Sequence, residues 1–164
     1  MKTPLRYLFA GLAGTIRTAL EDIAESLPAK VIPGPVDPLV TKYHVTDDLL
    51  GGLAAGYPRV QRALAFLPAL HVRLHHFHRG DADRELHSHP WRVGVSLLLV
   101  GGYREERGHE RRERELRAGD VNVLWPWTMH RVDVSPGGDV WTLFVHDGHS
   151  RQWGFLVPRE EFVS

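Results

Sequence analysis

The sequence predicts a mainly β fold, an antiparallel sandwich or barrel, preceded by a helical N-terminal third. Three observations carry this expectation. From His71 onward, short runs rich in Val, Leu, Trp and Phe alternate with Gly, Asp and Pro breaks about every 8–12 residues, the rhythm of antiparallel strands joined by tight turns. Near the N-terminus, by contrast, apolar residues recur at three- and four-residue steps. The chain's 164 residues suffice for one domain with a core, and not comfortably for two. The expected division is a helical segment over residues 1–68 packed on a β-barrel over residues 69–164.

The elements follow in order. Leu8, Leu12, Ile16, Leu20, Ile23 and Leu27 fall on one face of a helix. The apolar stretch Tyr7 to Ile16 is short for a secretion signal, lacks a small-residue cleavage site, and gives way to Arg17, Glu21, Asp22 and Glu25. The segment reads as a docked amphipathic helix, with membrane or partner binding as its alternatives. No stretch holds the ~18 apolar residues of a membrane span, so the expected location is cytoplasmic. "PAKVIPGPVDP" (28–38) reads as an extended linker. Thr46 or Asp47 can cap a short helix, and Tyr57 to Phe66 can form another. Strands are expected near 71–78, 93–100, 102–107, 111–117, 121–125, 130–134, 140–146 and 153–157. "RGHERRERELRAGD" reads as an exposed hairpin whose charges protect a sheet edge.

Composition narrows the chemistry. Lys plus Arg and Asp plus Glu are both 20, so charge offers no argument for nucleic-acid or membrane partners. There are no cysteines, which excludes disulfides, thiol catalysis and iron–sulfur clusters. Any metal must be held by imidazole, carboxylate or water, and histidine is abundant, at 11. No nucleophile elbow and no phosphate-cradling glycine loop is present.

The histidine pattern carries the functional signal. In "ELHSHPWRVGVSLLLVGGY" (85–103), His87 and His89 are two residues apart, so in a strand they share a face. Pro90 cannot donate to a ladder and puts the pair at a strand start or edge. Two such imidazoles can converge on one ion. In "AGDVNVLWPWTMHRVDV", a Gly119-Asp120 turn, a strand and a Pro-Trp bend lead to His130, which a hairpin can return to the first pair. Histidines hydrogen-bonded inside a polar barrel, without metal, are the alternative.

These two blocks resemble the paired motifs of the cupin superfamily, whose members are small jelly-roll barrels. Gly80, His87, His89 and Gly101 match the order of its first motif, with one extra residue in the first spacer. Gly119 and His130 match the second, although Pro126 is displaced by one and Trp127 stands where the motif has glycine. The likeness extends to uncharacterised cupin-like bacterial and phage sequences sharing the His-x-His-Pro-Trp block, and covers roughly residues 71–157. It implies a jelly-roll barrel and a metal site. The usual glutamate ligand falls at Gly94, so the implied ligand set is three neutral histidines: His87, His89 and His130.

An ion so held keeps its double charge, and glycine leaves room beside it; both favour an anionic ligand. Arg92 is the expected anion clamp, although it can equally be a surface arginine stacked on Trp91. Trp127 is expected to narrow the pocket mouth, and His146 to serve as a proton shuttle or a fourth ligand and to contact the substrate. Trp125, Trp127 and Trp141 are expected to fill the barrel wall. Of His71, His75, His76 and His78, on one strand, some must point inward. His44, His109 and His149 read as loop or surface residues.

The resemblance, with its missing glutamate, implies a non-haem iron dioxygenase-type oxidoreductase acting on a small anionic metabolite. Fe(II) is favoured, with Zn, Ni or Mn admissible. The alternatives are a cupin isomerase or lyase, a non-catalytic small-molecule-binding barrel, and an interaction protein recognised through its N-terminal helix. Pairing into a homodimer through sheet edges or helix faces is compatible with all of them.

Overall fold

The computed structural model describes residues 4–33, 38–47, 52, 54–59, 62, 69–80, 85–108, 110–149 and 151–156. A helix, α1 (Pro4–Glu25), is followed by strands β1 (Ala29–Ile32), β2 (Val40–Thr46), β3 (Leu70–Phe77), β4 (Gly94–Val100), β5 (Gly102–Arg107), β6 (Arg112–Arg117), β7 (Val121–Leu124), β8 (His130–Asp133) and β9 (Val140–Asp147). All pair antiparallel, in a six-stranded sheet of order β1-β2-β3-β9-β4-β7 and a three-stranded sheet of order β6-β5-β8. Two short segments extend the smaller sheet beyond β8. His87 N donates to His130 O at 2.9 Å and His130 N to His87 O at 3.0 Å, while Leu156 N donates to Leu86 O at 2.7 Å.

The two sheets face one another as a jelly-roll sandwich. Strand β4 shows why: Gly94, Ser96 and Leu98 are buried while the positions between them are more open, the two-residue period of a strand with distinct faces, and a register shift after Leu98 turns Val100 to the opposite face. Leu98 and Val140 of the larger sheet meet Tyr103, Leu116 and Val132 of the smaller one, with Val134 and Phe77 packed alongside. This cluster closes one end of the space between the sheets.

Helix α1 lies on the outer face of the larger sheet. Leu20 and Ala24 are buried against Leu74, Val100 and Trp141, with Ile16, Tyr43 and Leu99 alongside. The expected apolar stripe docks only in part: Leu8 and Leu12 near the helix start remain exposed, and so does Ile23 beside the buried Leu20 and Ala24. The helix start is pinned instead by an ion pair, Arg6 to Asp120 at 2.5 Å. Gly119 allows this approach: it has φ +89°, and a Cβ there would lie 2.8 Å from Arg6 N.

The eight strands expected from periodicity are present, except that 153–157 contributes only an isolated bridge at Phe155. The N-terminal third differs from expectation. Strands β1 and β2 arise within residues 1–68, where helix and linker were expected, and extend the larger sheet beside β3. The prolines do not prevent this, since Pro28, Pro33 and Pro38 flank the strands rather than interrupt them. Pro28 O even accepts from His44 N at 2.8 Å. The expected helices after Thr46 lie largely outside the described residues, although Pro58, Arg59 and Arg62 are helical.

Candidate metal centre

Backbone pairing between residues 87 and 130 brings the two histidine blocks together, and local turns aim their side chains. The Trp125–Thr128 turn, closed by Thr128 N to Trp125 O at 2.9 Å and Trp125 N to Thr128 Oγ1 at 3.0 Å, reverses the chain from β7 into β8 and delivers His130. The segment after His89 is held by the buried Asp147 carboxylate, which accepts from Arg92 N at 2.8 Å and Val93 N at 3.2 Å. The His89 ring then stacks on Trp91, with centroids 4.3 Å apart and an interplanar angle of 11°.

The outcome is a convergent trio. His87, His89 and His130 offer ligand atoms all within 4.8 Å of one another. His89 Nε2 and His130 Nε2 are 2.7 Å apart, a separation that two bonds of about 2.0–2.1 Å to a single ion can span. Burial is the main cause holding the His89 ring well below the ordinary imidazole pKa, reinforced by His130 and His87, so its nitrogens stay neutral as a ligand requires.

Behind His130 stands a residue the sequence reading missed. Glu105 is fully buried, and His130 Nδ1 donates to its Oε1 at 2.6 Å. A carboxylate can only accept, so the proton sits on Nδ1 and the Nε2 lone pair faces the other two histidines. Such a carboxylate–imidazole pair orients metal ligands and raises their basicity. Burial alone would raise the Glu105 carboxyl, but the His130 hydrogen bond, with the charges of Arg107 and Arg114, holds it down at about 2. Arg107 Nη2 reaches Glu105 at 3.1 Å and Asn122 Oδ1 at 2.8 Å; Arg114 Nε donates to Glu105 Oε2 at 2.6 Å; Asn122 Nδ2 donates to Tyr103 Oη at 3.0 Å. The β5–β6 hairpin is therefore a solvated edge only in part, because Arg107 and Arg114 fold back onto this buried carboxylate. The detectable signal was the two-residue alternation from Tyr103, which puts Glu105 on the inner face.

The trio opens into a cavity of about 470 Å³ between the sheets, within the range of small-molecule sites. Phe77, Tyr103 and Val132 of the closed-end cluster floor it, while Trp91, Phe144, Trp153 and Phe155 contribute rings to its walls. Lys30, Lys42 and Arg79 line it too, and no Asp or Glu does among the described residues.

The space expected beside Gly94 does not exist. A Cβ there would meet Trp91 Nε1 at 2.6 Å and Phe144 Cζ at 2.7 Å, so these rings occupy the place of the missing ligand. The residues expected to touch substrate lie elsewhere. The Arg92 side chain is 73% exposed, 3.9 Å from Asp147, and does not line the cavity. Trp127 is exposed and stacked on Trp125, also exposed, away from the cavity lining. His146 is buried against His71 and Trp91, its Nδ1 bonded to Asp147 O, and is not a lining residue. Trp141 packs under α1. Of the β3 histidines, His75 alone lines the cavity. His76 faces outward, bonded to Asp139 and stacked on Trp141 at 4.0 Å, and His78 bonds Thr41 at 2.8 Å. His149, expected at the surface, lines the cavity mouth while remaining exposed. His109 lies outside the described residues.

No protein-family model matches the sequence, and no curated protein matches it. Solved structures do resemble the fold. The polyketide cyclase RemF from Streptomyces resistomycificus aligns with TM-score 0.59 at 13% identity, over 84% of this chain and 85% of its own. A cupin-2 domain protein from Rhodospirillum rubrum aligns with TM-score 0.56 at 12% identity, over 80% and 76%. HppE in its Fe(II) form aligns with TM-score 0.52 at 14% identity, over 74% of this chain and 57% of its own. The chain thus has the cupin fold, as its two histidine blocks suggested, with a three-histidine group at the place where a metal can be held.

Proposed function

We propose that this cupin barrel is a metal-dependent enzyme, a three-histidine non-haem iron dioxygenase-type oxidoreductase acting on a small anionic metabolite. The observation carrying the reading is the convergence of three imidazoles on one point, with no carboxylate among the described residues lining the cavity. His87, His89 and His130 would hold the ion, and Glu105 would keep His130 in the ligating tautomer. A divalent ion so held supplies an uncompensated double charge and open positions for an anionic substrate and O₂. The chain's residues bind and orient around it. Trp91 fixes the plane of His89, Asp147 holds the loop bearing both, and the aromatic walls keep bulk water from the bound substrate.

A second reading, ring closure or isomerisation without O₂, is favoured by the likeness to a polyketide cyclase and by the ring-lined walls. Metal content separates the two. Elemental mass spectrometry is run on tag-free protein prepared without a nickel column, beside the His87→Ala variant. About one equivalent of iron, lost in the variant, is the expected outcome, and oxygen uptake is then assayed with small thiols, diketones and aromatic acids. Zinc or nickel in its place shifts the assignment to isomerase or cyclase chemistry. No metal in either protein, even after reconstitution with Fe(II) or Zn(II), sinks the enzyme reading and leaves a binding barrel.

A further inference from the structure

We infer that the larger sheet carries an anion subsite built on Lys42, facing the three histidines, and that it receives the carboxylate of a ligand with an aromatic body. The inference rests on the reading of this cavity as a substrate site and names the class of substrate.

Strand register builds the subsite. Lys30 pairs with Lys42 across β1 and β2, and Lys42 pairs with His75 across β2 and β3. Directly opposed residues of antiparallel strands share a face, and all three residues line the cavity. Arg79 adds a further cation to the lining. The wall therefore presents a row of basic side chains across from His130, which belongs to the smaller sheet.

Nothing in the described protein offsets Lys42. It makes no ion pair or side-chain hydrogen bond among the described residues. Its surroundings work against its charge: burial lowers the ammonium's pKa, and the like charges of Lys30 and Arg73 lower it further. Lys42 is half-buried in the cavity wall, and cations withdrawn from water are ordinarily paired. A cation kept without a partner, inside a cavity large enough for a small molecule, is offset by an anion that the ligand brings.

The space between the two ends selects the ligand's body. Phe77, Phe144, Trp91, Tyr103, Trp153 and Phe155 present rings to it. Aromatic walls favour a planar apolar body through stacked and edge-to-face contacts. A compact aliphatic dianion would leave these rings without contact. An aromatic carboxylate satisfies both the rings and Lys42 and points its far edge toward the histidines.

The test uses the full chain freed of metal, so that the ion contributes nothing. Benzoate and its neutral isostere benzamide are titrated at mildly alkaline pH, where imidazoles are uncharged, following tryptophan fluorescence. Wild type should bind benzoate about tenfold or more tightly over benzamide, the size expected of a hydrogen bond to a charged group. Lys42→Met should erase this preference and Lys42→Arg should keep it, with melting midpoints confirming that each variant is folded. If Lys42→Met does not fold, Lys42→Gln makes the same comparison. Equal binding of the two probes by wild type, binding of neither, or an undiminished preference without Lys42 overturns the subsite. Failure of the metal-enzyme reading would surface separately, as absent metal in the elemental measurement.

Discussion

Glu105 shows how one side chain ties stability to the metal centre. It is fully buried and is held by His130, Arg107, Arg114 and Asn122. Glu105→Gln keeps an acceptor for His130 but removes the charge, and should weaken metal affinity about 10–100-fold, read by competition with a chelator. The same residue sets an acid limb. Its folded pKa of about 2 lies below the ordinary 4.5, so its contribution is complete above the ordinary value and is lost as pH falls toward the folded one. That contribution is on the order of 3 kcal/mol. Urea unfolding of the wild type should lose stability steeply across this window, and the Gln variant should lose less; parallel curves would contradict the assignment. Sequence reading found the three histidines because their spacing is a local signal. It missed Glu105 because "YREERGHERRER" is dense in charge, which masked the two-residue alternation from Tyr103 that turns this one carboxylate inward. It placed the anion clamp at Arg92 because proximity in sequence to His89 was visible, whereas the register of β2 on β3, which sets Lys42 on the cavity wall, was not.

Among the elements, α1 is held unevenly, and the imbalance is measurable. Leu20 is buried against Trp141 and Leu74, whereas Leu8 is 58% exposed. Leu20→Ala should cost about 2–5 kcal/mol, while Leu8→Ala should stay within about 0.5 kcal/mol. Chemical denaturation decides, and similar costs at the two positions would mean that the helix docks along its whole length. The helix itself was legible from its periodicity, and so were β3 to β9, most of them from apolar runs between Gly or Pro breaks and the charged β5–β6 pair as an exposed hairpin. Strands β1 and β2 were not. β1 is four residues long, its pattern of exposure is nearly uniform, and four prolines in the sequence surround the pair. What makes them strands is the open edge of β3, a tertiary fact. The β4 start shows a tighter constraint: with Trp91 and Phe144 packed onto Gly94, even Gly94→Ala must displace a ring that supports His89.

At the scale of the whole molecule, the fold was legible because a jelly roll announces itself through strand rhythm, and the two histidine blocks named the barrel's open end. The direction of coupling between metal and folding follows from where the ligands sit. His87 and His130 are already joined by two backbone hydrogen bonds, so their rings are brought together by the fold without metal. His89 lies on the loop that leads into β4 of the opposite sheet, and is tied there through Trp91 and Phe144. An ion held by all three would connect the smaller sheet to that loop, and only in the folded chain, since the unfolded chain separates residues 89 and 130. Binding that favours the folded state stabilises it by about 2.7 kcal/mol when free metal is 100 times the dissociation constant. For a domain of this size, that corresponds to a rise of about 5–10 °C in melting midpoint. The metal-free protein should therefore remain folded, with a lower midpoint that climbs as metal is restored. His87→Ala should melt at one midpoint whatever the metal concentration. A wild-type midpoint indifferent to Fe(II) and Zn(II) would mean that the three imidazoles converge for packing alone, whereas an unfolded metal-free chain would mean that the backbone pairing of residues 87 and 130 does not preorganise the site.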